Sequence, residues 1–108
     1  MQLKKLDERL SVGPQITPDE VADLAKWGFR SIICNRPDDE DPGQPSFAEI
    51  AAAAAEQGME VRHIPVAGRP GEAQAAAFDE ALQEMPGPTY AYCRSGGRAG
   101  ALAAMSSR

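Results

Sequence analysis

Cys93-Arg94-Ser95-Gly96-Gly97-Arg98 brings together the residue types of a thiol nucleophile and an anion cradle. A thiolate attacks where a thiol does not, and backbone N–H groups at a helix N-terminus, with arginines beside them, favour the charged form. The flanks suit that geometry: Thr89-Tyr90-Ala91-Tyr92 reads as a strand delivering Cys93, and the alanine-rich stretch after Arg98 reads as a helix. Cys93 is therefore the expected nucleophile and Arg98 its catalytic anion ligand. Arg94 and the N–H groups of Ser95, Gly96 and Gly97 complete the expected substrate cradle, the glycines letting the backbone close tightly.

The rest of the chain has to place that loop. Thr17-Pro18-Asp19-Glu20 is a helix start, with an N-cap, a proline in the first turn and a capping-box glutamate; Val21, Leu24 and Ala25 form its apolar stripe and Gly28 stops it. Phe29 to Cys34 reads as a buried strand. Asn35 to Pro45, with three prolines and four acids, reads as a solvated loop. Ser46-Phe47-Ala48-Glu49 opens a second helix that runs through five alanines to Gly58. A strand over Met59 to Val66, a turn over Ala67 to Gly71, a helix over about Glu72 to Met85 and a short strand over Leu10 to Gly13 complete the pattern. Alternation of this kind predicts one α/β domain over residues 1–108, a mostly parallel sheet of about four to five strands with helices on both faces. Sites in such sheets collect at the carboxyl ends of the strands. Cys34, the Pro65 to Gly71 turn and the Cys93 loop should then share one side, with Arg36, Asp38 and Arg69 as possible pocket residues and an Arg36–Asp38 contact shaping the pocket.

Other residues have quieter readings. Cys34 suits a small buried hydrophobe, a resolving thiol being the alternative. His63, the one histidine, is expected to bond neighbouring backbone, and Trp27 to be a core or staple residue. No spacing of His and Cys suits a zinc site, no nucleotide-binding glycine set is present, and no cofactor is implied. A net charge of −5 argues against a nucleic-acid surface, yet from Cys93 onward there are three arginines and no acid. A locally basic pocket on an acidic body suits a small anionic substrate. No apolar run approaches the ~18 residues of a membrane span, residues 1–10 lack the apolar core of a signal peptide, and the expected location is the cytoplasm with both thiols reduced. The last helix is short, so that part of it or of a partner is expected to be missing.

Gln15 to Glu20, Gly28-Phe29-Arg30 with Ile32 to Asp38, His63-Ile64-Pro65-Val66 and Ala91 to Gly96 together resemble the phosphatase-like domain of the beta-lactamase-hydrolase-like proteins. The resemblance implies the three-layer α/β/α fold of dual-specificity phosphatases. Some relatives carry metallo-β-lactamase-like domains that oxidise persulfides, which implies a context in sulfide metabolism. Two departures bear on the cargo. Cysteine phosphatases resemble one another in five residues between Cys and Arg, followed by Ser or Thr; here four residues precede Arg98, as in rhodaneses, and Ala99 follows it. The turn where a phosphatase would supply its general acid reads Ala67-Gly68-Arg69-Pro70-Gly71, without a carboxylate until Glu72.

These departures favour sulfur transfer, in which Cys93 takes sulfane sulfur from thiosulfate or a persulfide and passes it to a thiol acceptor, because such donors leave well without an acid. Hydrolysis of a phosphate ester by the same cysteine is the alternative, and a non-catalytic anion-binding or docking domain is the third.

Overall fold

The computed structural model describes residues 2–106, which leaves the expected chain end at Ser107 and Arg108 outside the described residues. In chain order the elements are β1 (Lys4–Lys5), β2 (Leu10–Gly13), α1 (Pro18–Lys26), β3 (Ser31–Cys34), α2 (Phe47–Glu56), β4 (Glu60–His63), α3 (Glu72–Glu84), β5 (Thr89–Tyr92) and α4 (Gly97–Met105). The sheet order is β1-β2-β5-β3-β4, parallel throughout except for β1, which runs antiparallel to β2 along the edge.

Pleating divides the core into two layers. Leu10, Val12, Ile33 and Ala91 face one side and pack under α3 and α4 with Phe78, Leu82 and Leu102. Ile32, Cys34, Tyr90 and Tyr92 face the other and meet Val21 and Leu24 of α1 and Ile50 and Ala54 of α2. Strands β2, β3 and β5 are buried along their whole length. Helices cover both faces of a parallel sheet, so even the polar residues of these strands, Ser11, Ser31 and Thr89, are buried. The three-layer α/β/α expectation is met. No helix among the described residues is long and apolar enough to cross a membrane.

The helix starts follow the local chemistry. Glu20 N–H donates to Thr17 Oγ1 (3.3 Å) and Thr17 N–H donates to Glu20 Oε1 (2.9 Å), closing a capping box around Pro18. Ser46 Oγ accepts from Glu49 N–H (3.1 Å). The end of α1 corrects the reading of Trp27, which is its C-cap and 58% exposed instead of lying in the core. Gly28, at φ 96°, turns the chain back so that Gly28 N–H reaches Ala25 O and Phe29 N–H reaches Leu24 O. In this Schellman arrangement the residue after the glycine returns to the core, so Phe29 packs there and Trp27 faces out.

Register then sets the site. Gly13 pairs with Tyr92, Tyr92 with Cys34, and Cys34 with His63, so four parallel strands end in one row. The loops that leave this row are 14–17, 35–46, 64–71 and 93–96.

Candidate active site

Cys93 is the first residue past β5 and only 1% exposed. The chain turns at Gly96, which adopts the left-handed conformation (φ 99°) as N-cap of α4 and donates its N–H to Cys93 Sγ (3.1 Å). Burial pushes the Cys93 thiol up, but hydrogen bonds from the N–H groups of Ala99, Arg98, Gly96 and Ser95 outweigh it and leave the pKa below the ordinary thiol value. Peptide dipoles converging at a helix start thus prepare a thiolate. The loop is fastened from the β2 side: Cys93 N–H donates to Gly13 O (3.4 Å) and Gln15 N–H to Arg94 O (3.2 Å). That contact explains two glycines at once. A methyl group on Gly96 would stand 3.2 Å from the Gly13 backbone, and one on Gly13 would run into the Tyr90 hydroxyl. Gly97 N–H reaches Ser95 Oγ at 3.4 Å, a side-chain bond at a helix start whose own cap residue has no side chain.

The guanidinium of Arg98 has five N–H donors. Nη1 donates to Glu40 Oε2 (2.6 Å) and to Val66 O (2.7 Å), and Nη2 donates to Glu40 Oε1 (2.8 Å). Glu40 first, and the neighbouring Cys93 thiol after it, raise the Arg98 pKa above its ordinary value. Glu40 therefore takes one bidentate edge of the guanidinium and fixes its plane, while the edge shared by Nε and the remaining Nη2 hydrogen faces no carboxylate. Arg98 holds the Glu40 carboxyl down to about 2, with help from Arg36.

Arg36 is the anchor behind this pair. Its side chain is 5% exposed and fully engaged: Nε donates to Glu40 Oε1 (3.0 Å), Nη1 to Gln15 Oε1 (3.1 Å) and Nη2 to Asp41 Oδ2 (2.6 Å). Asp41 Oδ2 in turn lies 3.1 Å from Arg94 Nε. Each acid sits between buried Arg36 and one arginine of the cysteine loop. Asn35 ties the three strand ends beneath: its N–H donates to Tyr92 O (2.7 Å), its Nδ2 to Ile64 O (2.9 Å), and its carbonyl accepts from Val66 N–H (3.0 Å). The Val66 carbonyl that Arg98 uses is thereby fixed.

The structure brings Cys93, Ser95, Gly96, Gly97 and Arg98 together as the sequence predicts. Arg94 is different, its side chain 69% exposed and paired with Asp41 at the rim. Asp38 departs from expectation: it does not meet Arg36, and its Oδ1 accepts from Phe47 N–H (2.8 Å) at the start of α2, while Glu40 and Asp41 take the Arg36 donors. Arg69 stands exposed in the turn after Val66. The loop after β3 is not the solvated segment expected, because Asn35 and Arg36 are buried and two of its acids close over the cradle. The pocket is accordingly less basic than the count of C-terminal arginines suggests.

Cys34 faces the α1–α2 layer, away from this cradle; burial pushes its thiol up, and Sγ donates to Arg36 O (3.3 Å). Both cysteines are free. His63 meets its expectation, with Nε2 2.9 Å from Arg36 O and its ring stacked on Phe47 at 4.6 Å. Among the described residues no three His, Cys, Asp or Glu side chains gather as a metal ion would need.

Gln15, Asn35, Glu40 and Asp41 are the residues that sequence reasoning missed. A signal was present in the four acids crowded just past a strand end on the same side of the sheet as the cysteine loop.

The comparisons with known proteins agree with this geometry. A family model described as "Beta-lactamase hydrolase-like protein, phosphatase-like domain" matches residues 2–108. The chain is 39% identical over 100 residues to the beta-lactamase hydrolase-like protein of Agrobacterium fabrum, covering 92% of this chain and 23% of that protein. It is 38% identical over 107 residues to that of Xylella fastidiosa, covering 98% and 25%. The chain thus spans about a quarter of the length of these relatives. Among solved structures, a proposed phosphatase of Neisseria meningitidis superposes with a TM-score of 0.84 at 36% identity, over 91% of this chain and 70% of that one. A cysteine held by helix-start N–H groups on a four-strand parallel row, matched along its whole described length by that model, places the chain in the family of the beta-lactamase hydrolase-like proteins, as their phosphatase-like domain.

Proposed function

We propose that the chain is a cysteine-dependent hydrolase of phosphate esters, in which Cys93 is the nucleophile and Arg98, with the loop N–H groups, holds the phosphoryl oxygens. The observation that carries this reading is the convergence of the Ser95, Gly96, Arg98 and Ala99 N–H groups on a thiol whose pKa they lower. The same donors that favour the thiolate suit the equatorial oxygens of a phosphoryl group in flight, and they need no reorganisation to do so. Cys93 sulfur bonds to phosphorus as the ester oxygen leaves with its electron pair. Water then attacks the thiophosphate, releasing inorganic phosphate and a proton and restoring the thiolate. Family membership and the likeness to a proposed phosphatase at 36% identity support this over the reading that the loop spacing favours. Two free cysteines suit a reducing compartment such as the cytoplasm.

Transfer of sulfane sulfur is the second reading, and one observation favours it. Only four residues separate Cys93 from Arg98, and the Gly96 N–H already lies 3.1 Å from Sγ, a cradle close in around a single sulfur atom. On that reading the Cys93 thiolate attacks the outer sulfur of thiosulfate, sulfite leaves with the electron pair of the broken sulfur–sulfur bond, and the Cys93 persulfide passes its outer sulfur to a thiol acceptor. Incubating wild type and Cys93→Ser with 4-nitrophenyl phosphate and, separately, with thiosulfate distinguishes the two. Phosphate release that Cys93→Ser abolishes, with no sulfur added to the intact mass, is the expected result. A sulfur adduct on Cys93 without phosphate release would overturn it, and no reaction with either would favour an anion-binding domain.

A further inference from the structure

Ordinary phosphate esters of alcohols and phenols need a proton for the departing oxygen, and the ionisable groups around the cradle are committed elsewhere. The turn that follows β4, which borders Arg98 through its bond to Val66 O, carries no carboxylate between Ala67 and Gly71; its one ionisable group is the cation Arg69. Glu40 spends both oxygens on Arg98 and a further contact on Arg36, which hold it ionised. Asp41 bridges Arg36 and Arg94. Asp38 caps α2. His63 directs Nε2 at Arg36 O and stacks on Phe47. Tyr90 donates its hydroxyl to Pro14 O, and both Tyr90 and Tyr92 are buried in the layer beneath. Glu40, held as an anion by two arginines, has no proton to give near neutral pH. With no proton to give, such a site favours a leaving group that departs negatively charged.

We propose that this site acts on phosphoryl donors whose leaving group departs unprotonated as a stable anion: phosphoanhydrides, acyl phosphates and aryl phosphates of acidic phenols. This substrate class rests on the phosphatase reading above and narrows it. In the first step the Cys93 sulfur–phosphorus bond forms and the phosphorus–oxygen bond breaks, the oxygen keeping the electron pair as phosphate, carboxylate or phenolate. No proton is transferred. The turn after β4 and the cysteine loop carry the cations Arg69 and Arg94 and no carboxylate, so neither segment offers that oxygen a proton. Asp39 in the loop after β3 and Glu72 at the start of α3, both exposed and neither bonded to a cradle residue among the described residues, are two further carboxylates on this side of the sheet.

The test is a leaving-group series on the whole chain. Values of kcat/KM are compared for acetyl phosphate, inorganic pyrophosphate, 4-nitrophenyl phosphate and phenyl phosphate, whose phenol has a tyrosine-like pKa of about 10. The first three are expected to turn over, with phenyl phosphate slower than 4-nitrophenyl phosphate by about a hundredfold or more, the size of the contribution a general acid would otherwise make. Asp39→Asn and Glu72→Gln are expected to leave that ratio unchanged. Phenyl and 4-nitrophenyl phosphate hydrolysed within about tenfold of each other would overturn the proposal while leaving the Cys93 phosphatase reading intact. A ratio that steepens only in Asp39→Asn or Glu72→Gln would overturn it and identify the acid. Phosphate release that survives Cys93→Ser, or none from any donor, would instead overturn the phosphatase reading itself, and the substrate class with it.

Discussion

Gly96→Ala is the substitution that most directly probes how the thiol is prepared. Gly96 holds φ at 99°, where a side chain costs about 1–2 kcal/mol. The added methyl would stand 3.2 Å from Gly13 Cα and carbonyl carbon. Gly13 cannot retreat, because the Tyr90 hydroxyl lies behind it and is itself bonded to Pro14 O at 2.8 Å. The loop must therefore move outward, taking the Gly96 N–H away from Sγ. A hydrogen bond to a charged acceptor contributes about 1.5–3 kcal/mol, and 1.36 kcal/mol is about one pKa unit, so the Cys93 pKa should rise by roughly 1–2 units.

The assay is the rate of Cys93 alkylation by iodoacetamide against pH, read at the peptide level, alongside thermal unfolding. The inflection should move up toward the free-thiol value of ~8.5, and Tm should fall by about 4–8 °C for each kcal/mol lost. The fold lowers the thiol pKa, so its contribution to stability is complete above the unfolded value near ~8.5 and is lost as pH falls through the folded one. The stability gap between wild type and variant should accordingly widen as pH rises through that window. Gly100→Ala is the control: its methyl meets nothing within 4 Å inside α4, and it should leave the inflection in place. Retention of both the wild-type inflection and the wild-type Tm by Gly96→Ala would refute the reasoning.

Glu40→Gln should change acid stability in a definite direction. The Glu40 carboxyl is lowered to about 2 by Arg98, so the pair stabilises the fold above the ordinary carboxylate value of about 4.3 and that contribution disappears as pH falls toward 2. Urea midpoints should show the variant weaker by about 1–2 kcal/mol at pH 7 and converging with wild type in acid; curves that stay parallel down to pH 2 would contradict the pairing. Cys34→Ala should leave the Cys93 alkylation profile unchanged, and Cys34 should react with iodoacetamide only after unfolding, since its thiol is buried and its pKa raised. A Cys34–Cys93 disulfide in mildly oxidised native protein would show instead that Cys34 is a resolving thiol.

What the sequence discloses is whatever local chemistry decides. Thr17, Pro18 and Glu20 settle the start of α1 among themselves, and Thr89 to Tyr92 followed by a glycine-bearing loop marks β5 and the cysteine turn as they stand. Strand β1 escapes because two exposed lysines carry no pattern and pair only through the edge of β2. Strand β3 begins two residues later than the apolar run suggests, since Phe29 and Arg30 belong to the turn out of α1. Strand β4 is likewise shorter than Met59 to Val66. The loop after β3 is where sequence reasoning fails most. Its acids look solvated because their partners, Arg94 and Arg98, lie more than fifty residues away, and Asp38 and Glu40 differ in fate only through which donor the folded chain offers them.

That long-range pairing alters the electrostatic logic of the cysteine loop. A count of arginines suggests that cationic side chains make the thiolate. In the folded chain those charges are largely spent on Glu40 and Asp41, and what lowers the Cys93 pKa against its burial is a set of neutral backbone donors at the start of α4. Fixed dipoles so close to the sulfur are screened little by salt and need no reorganisation when charge moves from sulfur to an incoming oxyanion. The acids then have a constructive role that a purely basic pocket would lack. By occupying one edge of the Arg98 guanidinium and tying it to buried Arg36, Glu40 turns a flexible side chain into a fixed plane whose other edge faces no carboxylate. An acid held so firmly as an anion positions well and protonates poorly, so the ion pairs that build the cradle are also what confine its proposed chemistry to leaving groups that need no proton.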